Sequence, residues 1–274
     1  MMATSKLCYH ECMEIGMPIL AELRTLREHI DLCKSLGFDF IELNMGFPCS
    51  MPDRIDWQEV KGSKGIFFTL HLPESIEVGQ MYEYDRRRNV EYAIYLMKMF
   101  KDKGSVKKFN LHLGIGDIMT LPGGKIFLFE EHSDEYMKSL RKSFRELSEF
   151  AVEAGVTVCF ENIGDARPFL LDSFKELLNF PSLSFTLDTG HDAKVGSVFS
   201  NLFVQSPEKV RHIHLHDYDG RSDHLELGVG VVDVQAVIGL ARKSGATVLL
   251  EVRKKRELEN SLGLLRSGSS IMYN

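Results

Sequence analysis

Short apolar runs recur along the chain, and the stretches between them carry apolar residues at helical spacing. Strand-length runs fall at residues 6–12, 38–44, 66–72, 107–113, 156–162, 183–188, 211–216 and 246–252. Amphipathic segments separate them. Residues 25–37 place Leu26, Ile30 and Cys33 on one face and stop at Gly37, a residue suited to a left-handed cap. Residues 84–104 form a long helix stopped by Gly104, and 133–155 start at a Ser or Asp cap and stop at Gly155. Further helices are expected at 172–180, ending before Pro181, at 231–245 and at 257–268, where a polar tail follows. A short helix is expected within 194–209.

Eight strand–helix units in 274 residues match the arithmetic of one closed (β/α)8 TIM barrel, a single α/β domain over 1–274. An open doubly wound sheet has fewer strands and often a glycine-rich first turn. Neither GxGxxG nor GxxxxGK[ST] occurs here. Strand parity also favours the barrel, because alternate side chains face opposite sides. His212, His214 and His216 share one face, against Ile213 and Leu215. Thr247, Leu249, Glu251 and Arg253 oppose Val248, Leu250 and Val252. Ser184, Thr186 and Asp188 oppose Phe185 and Leu187, and Asn110 with His112 opposes Phe109 and Leu111. The apolar parity suits packing on helices, and the polar parity suits the barrel interior.

Composition excludes little. Hydrophobic content is 44% and charged content 26%, ordinary for a soluble globular chain. No apolar stretch approaches the roughly 20 residues that span a bilayer, and the first residues do not read as a signal peptide. Five scattered cysteines suit a reduced, cytoplasmic setting. The net charge of −6 disfavours nucleic acid as a partner.

The chemistry gathers at strand ends. Apolar runs close on His71, His112, Glu161, Asp188, His214, His216 and Glu251. Burying such groups is expensive unless they are paired or hold a metal. Glu161, Asp188, His214 and Glu251 make a hard oxygen-rich set with one imidazole, suited to Mn, Mg, Co or Zn. Three converging carboxylates without a cation would repel one another. Glu42 and Asn44 point to the same site, although Glu42 suits a salt bridge at the barrel floor equally well. His212 and His216 suit hydrogen bonding beside His214 or contact with the substrate, and His216 also suits an additional metal. Arg253 suits either an anionic substrate or an internal ion pair, and Lys194 suits the substrate or simple solvation. Cys8, His10 and Cys12 share one strand face but lack a second ligand pair for zinc. Trp57 suits the core or a pocket wall.

FENIG (160–164), LDTGHDAK (187–194), HIHLHDYDG (212–220), HLELGVGVVD (224–233) and LLEV (249–252), with HLPES and LHLG, resemble the xylose isomerase-like TIM-barrel superfamily. The resemblance implies one catalytic divalent ion on Glu161, Asp188, His214 and Glu251, with His191 binding substrate oxygens. Its sugar-epimerase branch implies a sugar or sugar phosphate substrate, Glu161 and Glu251 as proton-transfer groups, and a homo-oligomer as one option. Its endonuclease IV branch implies a metal-dependent phosphoester hydrolase with further ions, for which His71, His112, His191 and His224 stand in matching places. That branch carries Asp where Ser222 stands and Glu where Val229 stands, which counts against a third ion. A non-catalytic binding protein on the same fold is the third alternative.

Overall fold

The computed structural model describes residues 13–271. In chain order the elements are β1 (Ile15–Pro18), α1 (Leu26–Leu36), β2 (Phe40–Asn44), α2 (Trp57–Gly62), β3 (Phe67–His71), α3 (Glu83–Gly104) and β4 (Lys108–His112). Then come β5 (Ile118–Leu121), β6 (Gly124–Phe127), α4 (Leu128–Glu131), α5 (Ser133–Ala154), β7 (Thr157–Glu161), α6 (Pro168–Leu177) and β8 (Leu183–Asp188). The chain continues through α7 (Thr189–Lys194), α8 (Val198–Phe203), β9 (Val210–Leu215), α9 (Val234–Ser244), β10 (Thr247–Leu250) and α10 (Lys255–Ile271). Strands β1, β2, β3, β4, β7, β8, β9 and β10 close in that order into a parallel barrel, with β10 back against β1. Strands β5 and β6 form a separate antiparallel hairpin. This is the (β/α)8 barrel expected from the alternation of segments.

Local chemistry explains most boundaries. Thr25 and Glu28 form a reciprocal capping box on α1, and Gly37 ends that helix at φ 70°. Gly155 and Gly245 end α5 and α9 in the same left-handed way. Asp233 caps α9 through Ala236 N. Trp57 packs edge-on against Phe100, so it belongs to the outer core.

Some boundaries differ from expectation. The strand expected at 6–12, with Cys8, His10 and Cys12, lies outside the described residues. The first barrel strand is Ile15–Pro18, whose Gly and Pro hide it from a propensity reading. Gly16 is required there because a Cβ would overlap the Phe40 ring. Helix α3 includes Gly104 and ends on Ser105, at φ 58°. Helix α5 begins at Ser133 with no side-chain cap. Helix α6 starts earlier than expected because Pro168 takes its first turn, where a missing N–H costs nothing. Helix α10 starts at Lys255 and runs beyond the expected 257–268. The region 194–209 holds the end of α7, then α8 and a 3-10 turn, Pro207–Lys209. The hairpin around Gly123–Gly124 was not expected. Among the described residues no helix is long and apolar enough to cross a membrane.

Candidate metal centre and catalytic cavity

The barrel register brings the strand-end residues together. His112 pairs with Glu161 across β4 and β7, and Asp188 with His214 across β8 and β9. His214 also aligns with Leu249, two residues before Glu251. Side-chain ligand atoms of Glu161, Asp188, His214 and Glu251 lie within 4.8 Å of one another. A cavity of about 600 Å³ opens over them, lined among others by Glu42, His71, Glu74, His112, His191 and Arg253.

His214 sits at the centre. Its Nδ1 is 3.1 Å from both Glu161 Oε1 and Glu251 Oε2. Its Nε2 is 2.9 Å from Glu42 Oε1. Glu42 therefore stands behind the imidazole and turns Nδ1 toward the carboxylates. Glu161 is enclosed. Asn110 Nδ2 donates to it in a short hydrogen bond, His112 Nε2 is 3.2 Å away, and His71 Nε2 is 3.4 Å away. Thr186 donates to Asn110 Oδ1 at 2.6 Å, which fixes which way the amide faces. Asp188 accepts from His191 N at 2.8 Å and lies 3.0 Å from His216 Nε2.

Several motif residues serve this framework. Asn162 of FENIG bridges strand ends by accepting from Asp188 N and donating to Asp188 O. Gly190 of LDTGH leaves space that the His216 ring fills. Asp217 is buried and accepts from the backbone N–H groups of Tyr218, Gly228, Gly230 and Val232, which latches the LGVG loop onto the barrel. A Cβ on Gly230 would overlap Tyr218 O. Reading the sequence assigned none of these roles, although the Asn after Glu161 and the Asp after His216 were visible in the motifs.

Four further groups of ligand atoms surround the central one among the described residues: His71–His112–Glu161, His191–Asp223–His224, Asp188–His216–His224–Glu251 and Glu42–His212–His214. In the sequence, Ser222 in place of the endonuclease IV branch's Asp counts against a further ion beside His191 and His224. Asp223 instead reaches back to within 3.7 Å of His191 Nε2 and 3.0 Å of His224 Nδ1. His224 takes a left-handed conformation at φ 56°, rare for a residue with a Cβ. Its N–H donates to His216 Nδ1, and the two rings stack 4.2 Å apart. Strained conformations of this kind cluster at functional sites.

His216 thus supports Asp188 and His224. His212 lies one layer below the cavity. Arg253 lines the cavity wall. Lys194 is exposed and passes over Gly164 at the rim.

A column of hydrogen bonds leads down from this site. Lys108 Nζ donates to Thr247 Oγ1 at 2.6 Å and to Arg211 O at 2.7 Å. An ammonium only donates, so the Thr247 hydroxyl proton is free for His212 Nδ1, 2.6 Å away. His212 then carries its proton on Nε2 and donates to Glu42 Oε2 at 3.0 Å. Thr69 donates to the same oxygen at 2.8 Å. Burial lowers the His212 pKa to about 4, consistent with a neutral ring.

The electrostatics favour a cation at the centre. Burial pushes the Glu161 carboxyl up, but His214 and His112 outweigh it and hold the pKa well below the usual range. Glu251 is likewise brought down to about 2: burial opposes the shift and His214 drives it. Burial alone would lower His214, yet Glu161, Glu251 and Glu42 raise it well above the ordinary value. Three side-chain atoms facing the cavity, His112 Nε2, His191 Nδ1 and Glu251 Oε2, are buried beside Glu161, Asp188 and His214 without a well-aligned hydrogen bond. Such atoms are costly unless something binds them. The donor set and these orphaned atoms fit a divalent ion.

Known proteins share this architecture. The uncharacterized protein MJ1614 of Methanocaldococcus jannaschii is 26% identical over 201 residues, 72% of this chain and 74% of its own. A D-tagatose 3-epimerase-like protein superposes with TM-score 0.75 at 19% identity, covering 94% of this chain and 98% of its own. The IOLI protein with a bound zinc atom superposes with TM-score 0.72 at 17% identity, covering 94% and 96%. A family model described as xylose isomerase-like TIM barrel matches residues 30–268, from within α1 to within α10 and including Glu161, Asp188, His214 and Glu251, so the chain belongs to that family.

Proposed function

We propose that the protein is a divalent-metal-dependent isomerase or epimerase acting on a sugar or sugar phosphate by proton transfer at carbon. The observation that supports this most is the pair Glu161 and Glu251, which meet around His214 and Asp188 beneath an open cavity. Glu161, Asp188, His214 and Glu251 would hold one ion: Mn, Mg, Co or Zn. When bound, that ion supplies polarisation of a carbonyl and its neighbouring hydroxyl, which stabilises an enediolate. Glu251, with 23% of its side chain exposed, removes the carbon-bound proton. Glu161, 2% exposed and held by Asn110, returns one from its own side after taking a proton from His112, 3.2 Å away, and the proton held by Glu251 passes to solvent to complete the cycle. Return to the same carbon from the other face gives an epimer, and return to the adjacent carbon gives an isomer. His191 and His224 orient hydroxyls, while Phe47 and Ile19 form an apolar wall. The similarity to a D-tagatose 3-epimerase-like structure supports the sugar class.

The test is turnover of ketoses, aldoses and their phosphates in deuterated water by metal-loaded protein. Deuterium at the reacting carbon is the expected result. Product formed with no deuterium at either reacting carbon argues for a hydride shift or a shielded proton transfer over solvent exchange.

A second reading is a multi-ion phosphoester hydrolase, and it rests on two of the additional groups, His71–His112–Glu161 and His191–Asp223–His224. Incubation of the metal-loaded protein with an abasic duplex decides it. The net charge of −6 leads us to expect no cleavage; efficient cleavage would place this reading first.

A further inference from the structure

We infer that the substrate of this cavity carries an anionic group, a phosphate monoester or a carboxylate, which seats on Arg253. The inference rests on the proposed reaction and specifies its substrate class. Four carboxylates line the cavity, Glu42, Glu74, Glu161 and Glu251, and Arg253 is the one permanently charged cation among the lining residues. A guanidinium beside so many acids ordinarily pairs with one of them. Arg253, exposed at the cavity rim, does not: among the described residues no carboxylate lies within ion-pair distance, and its Nη2 meets His224 Nδ1 at 3.3 Å. The internal ion pair that would give it a purely structural role is therefore absent among the described residues. Most of the five guanidinium N–H donors remain free for a ligand.

Its setting agrees. Arg253 follows β10, the eighth strand of the barrel, and TIM barrels frequently bind phosphate at the loops after their seventh and eighth strands. Arg253 also opens the run Arg253-Lys254-Lys255-Arg256, which leads into the first turn of α10. Cations at a helix N-terminus oppose the helix dipole and cost stability. Lys254 and Lys255 offset part of that cost by pairing with Glu257 and Glu259. Arg253 makes no such pair. Its charge instead faces a cavity that would otherwise repel an anion.

The experiment compares wild type, Arg253→Gln and Arg253→Lys, each metal-loaded with its metal content measured. The probes are D-fructose 6-phosphate, D-fructose, D-gluconate and inorganic phosphate, titrated by calorimetry. In wild type, the phosphate ester or gluconate binds about 10–100-fold tighter than neutral fructose, the range for a charge-assisted contact. Whichever of the two leads identifies the anion. Arg253→Gln removes the preference, and Arg253→Lys restores part of it because charge survives without the fork. Equal affinities for neutral and anionic probes in wild type, or a preference untouched by Arg253→Gln, overturn the inference. Deuterium exchange on the same samples separates the two claims. Exchange without anion preference sinks the anion seat alone, and anion preference without exchange or turnover sinks only the proposed reaction.

Discussion

The two ends of the barrel interior are built from similar residues and behave oppositely. At the floor, Lys108, Thr247 and His212 spend their side-chain donors and acceptors on one another, on Glu42 and on Arg211 O. At the mouth, His112 Nε2, His191 Nδ1 and Glu251 Oε2 lie 3.1–3.3 Å from a charged neighbour but make no well-aligned hydrogen bond. All three atoms are buried, so burial alone does not distinguish the two ends. Hydrogen-bond geometry does. A closed polar network is a packing solution, whereas a set of convergent unsatisfied atoms is a site awaiting a ligand. Glu42 belongs to both, closing the column from below and aiming His214 from behind.

This contrast predicts graded effects of substitution. The largest belong to the mouth. Asp188→Ala and His214→Ala should each lose nearly all metal under conditions that saturate wild type, while circular dichroism shows an intact fold. Full metal content in both variants would mean the wrong residues have been identified. Next come Glu251→Gln and Glu161→Gln, each expected to lower turnover about 10²–10⁴-fold, the usual loss for one acid–base group. Metal content must be measured alongside, and near wild-type rates in both loaded variants would remove these glutamates from the chemistry.

Glu42→Ala tests the junction. It leaves all four proposed ligands in place but frees the His214 ring, so metal affinity should fall about 10–100-fold. An unchanged affinity would show that the column does not orient the site. The pH dependence follows from the same electrostatics. The carboxylates raise His214 well above its ordinary pKa, so the metal-free protein holds a proton that an ion must displace. Affinity should therefore rise with pH, by about tenfold per unit while one proton leaves per ion bound. Flat affinity between pH 5 and 8 would contradict the proposed role of His214.

The smallest effect on the site belongs to the floor. Lys108→Met removes the donor to Thr247 and Arg211 O, and should cost about 1–3 kcal/mol of stability in denaturant unfolding. Metal affinity should stay within about twofold of wild type, because Thr69 still holds Glu42 when Lys108 is gone. A large loss of metal would mean that the two ends are not separable.

Much of this was legible in the sequence, and the failures have physical causes. Strand parity placed His212, His214 and His216 on the inner face, and strand ends placed Glu161, Asp188 and Glu251 beside them, because side-chain alternation is a local property. The sequence pattern picks out His214 for the ligand set, but the reason that it and not His212 joins the carboxylates lies in the stagger of neighbouring strands. The register sets His214 opposite Asp188 and His212 opposite Thr186 and Thr247. Asn110 looked like an ordinary inward polar residue, and only the fold brings it to Glu161 across two strands. β1 escaped notice because four residues containing Gly and Pro carry almost no strand signal. Asp223 shows the limit of spacing arguments. A one-residue shift in the motif did not remove the carboxylate, because the loop carries His224 through a left-handed turn.

The most direct test of the central claim is the location of a bound ion. Crystals of protein loaded with Mn or Zn should show an anomalous peak within bonding distance of Glu161, Asp188, His214 and Glu251. Peaks at His71–His112–Glu161 and His191–Asp223–His224 as well would favour the hydrolase reading. No peak at the central group in fully loaded protein would contradict the account.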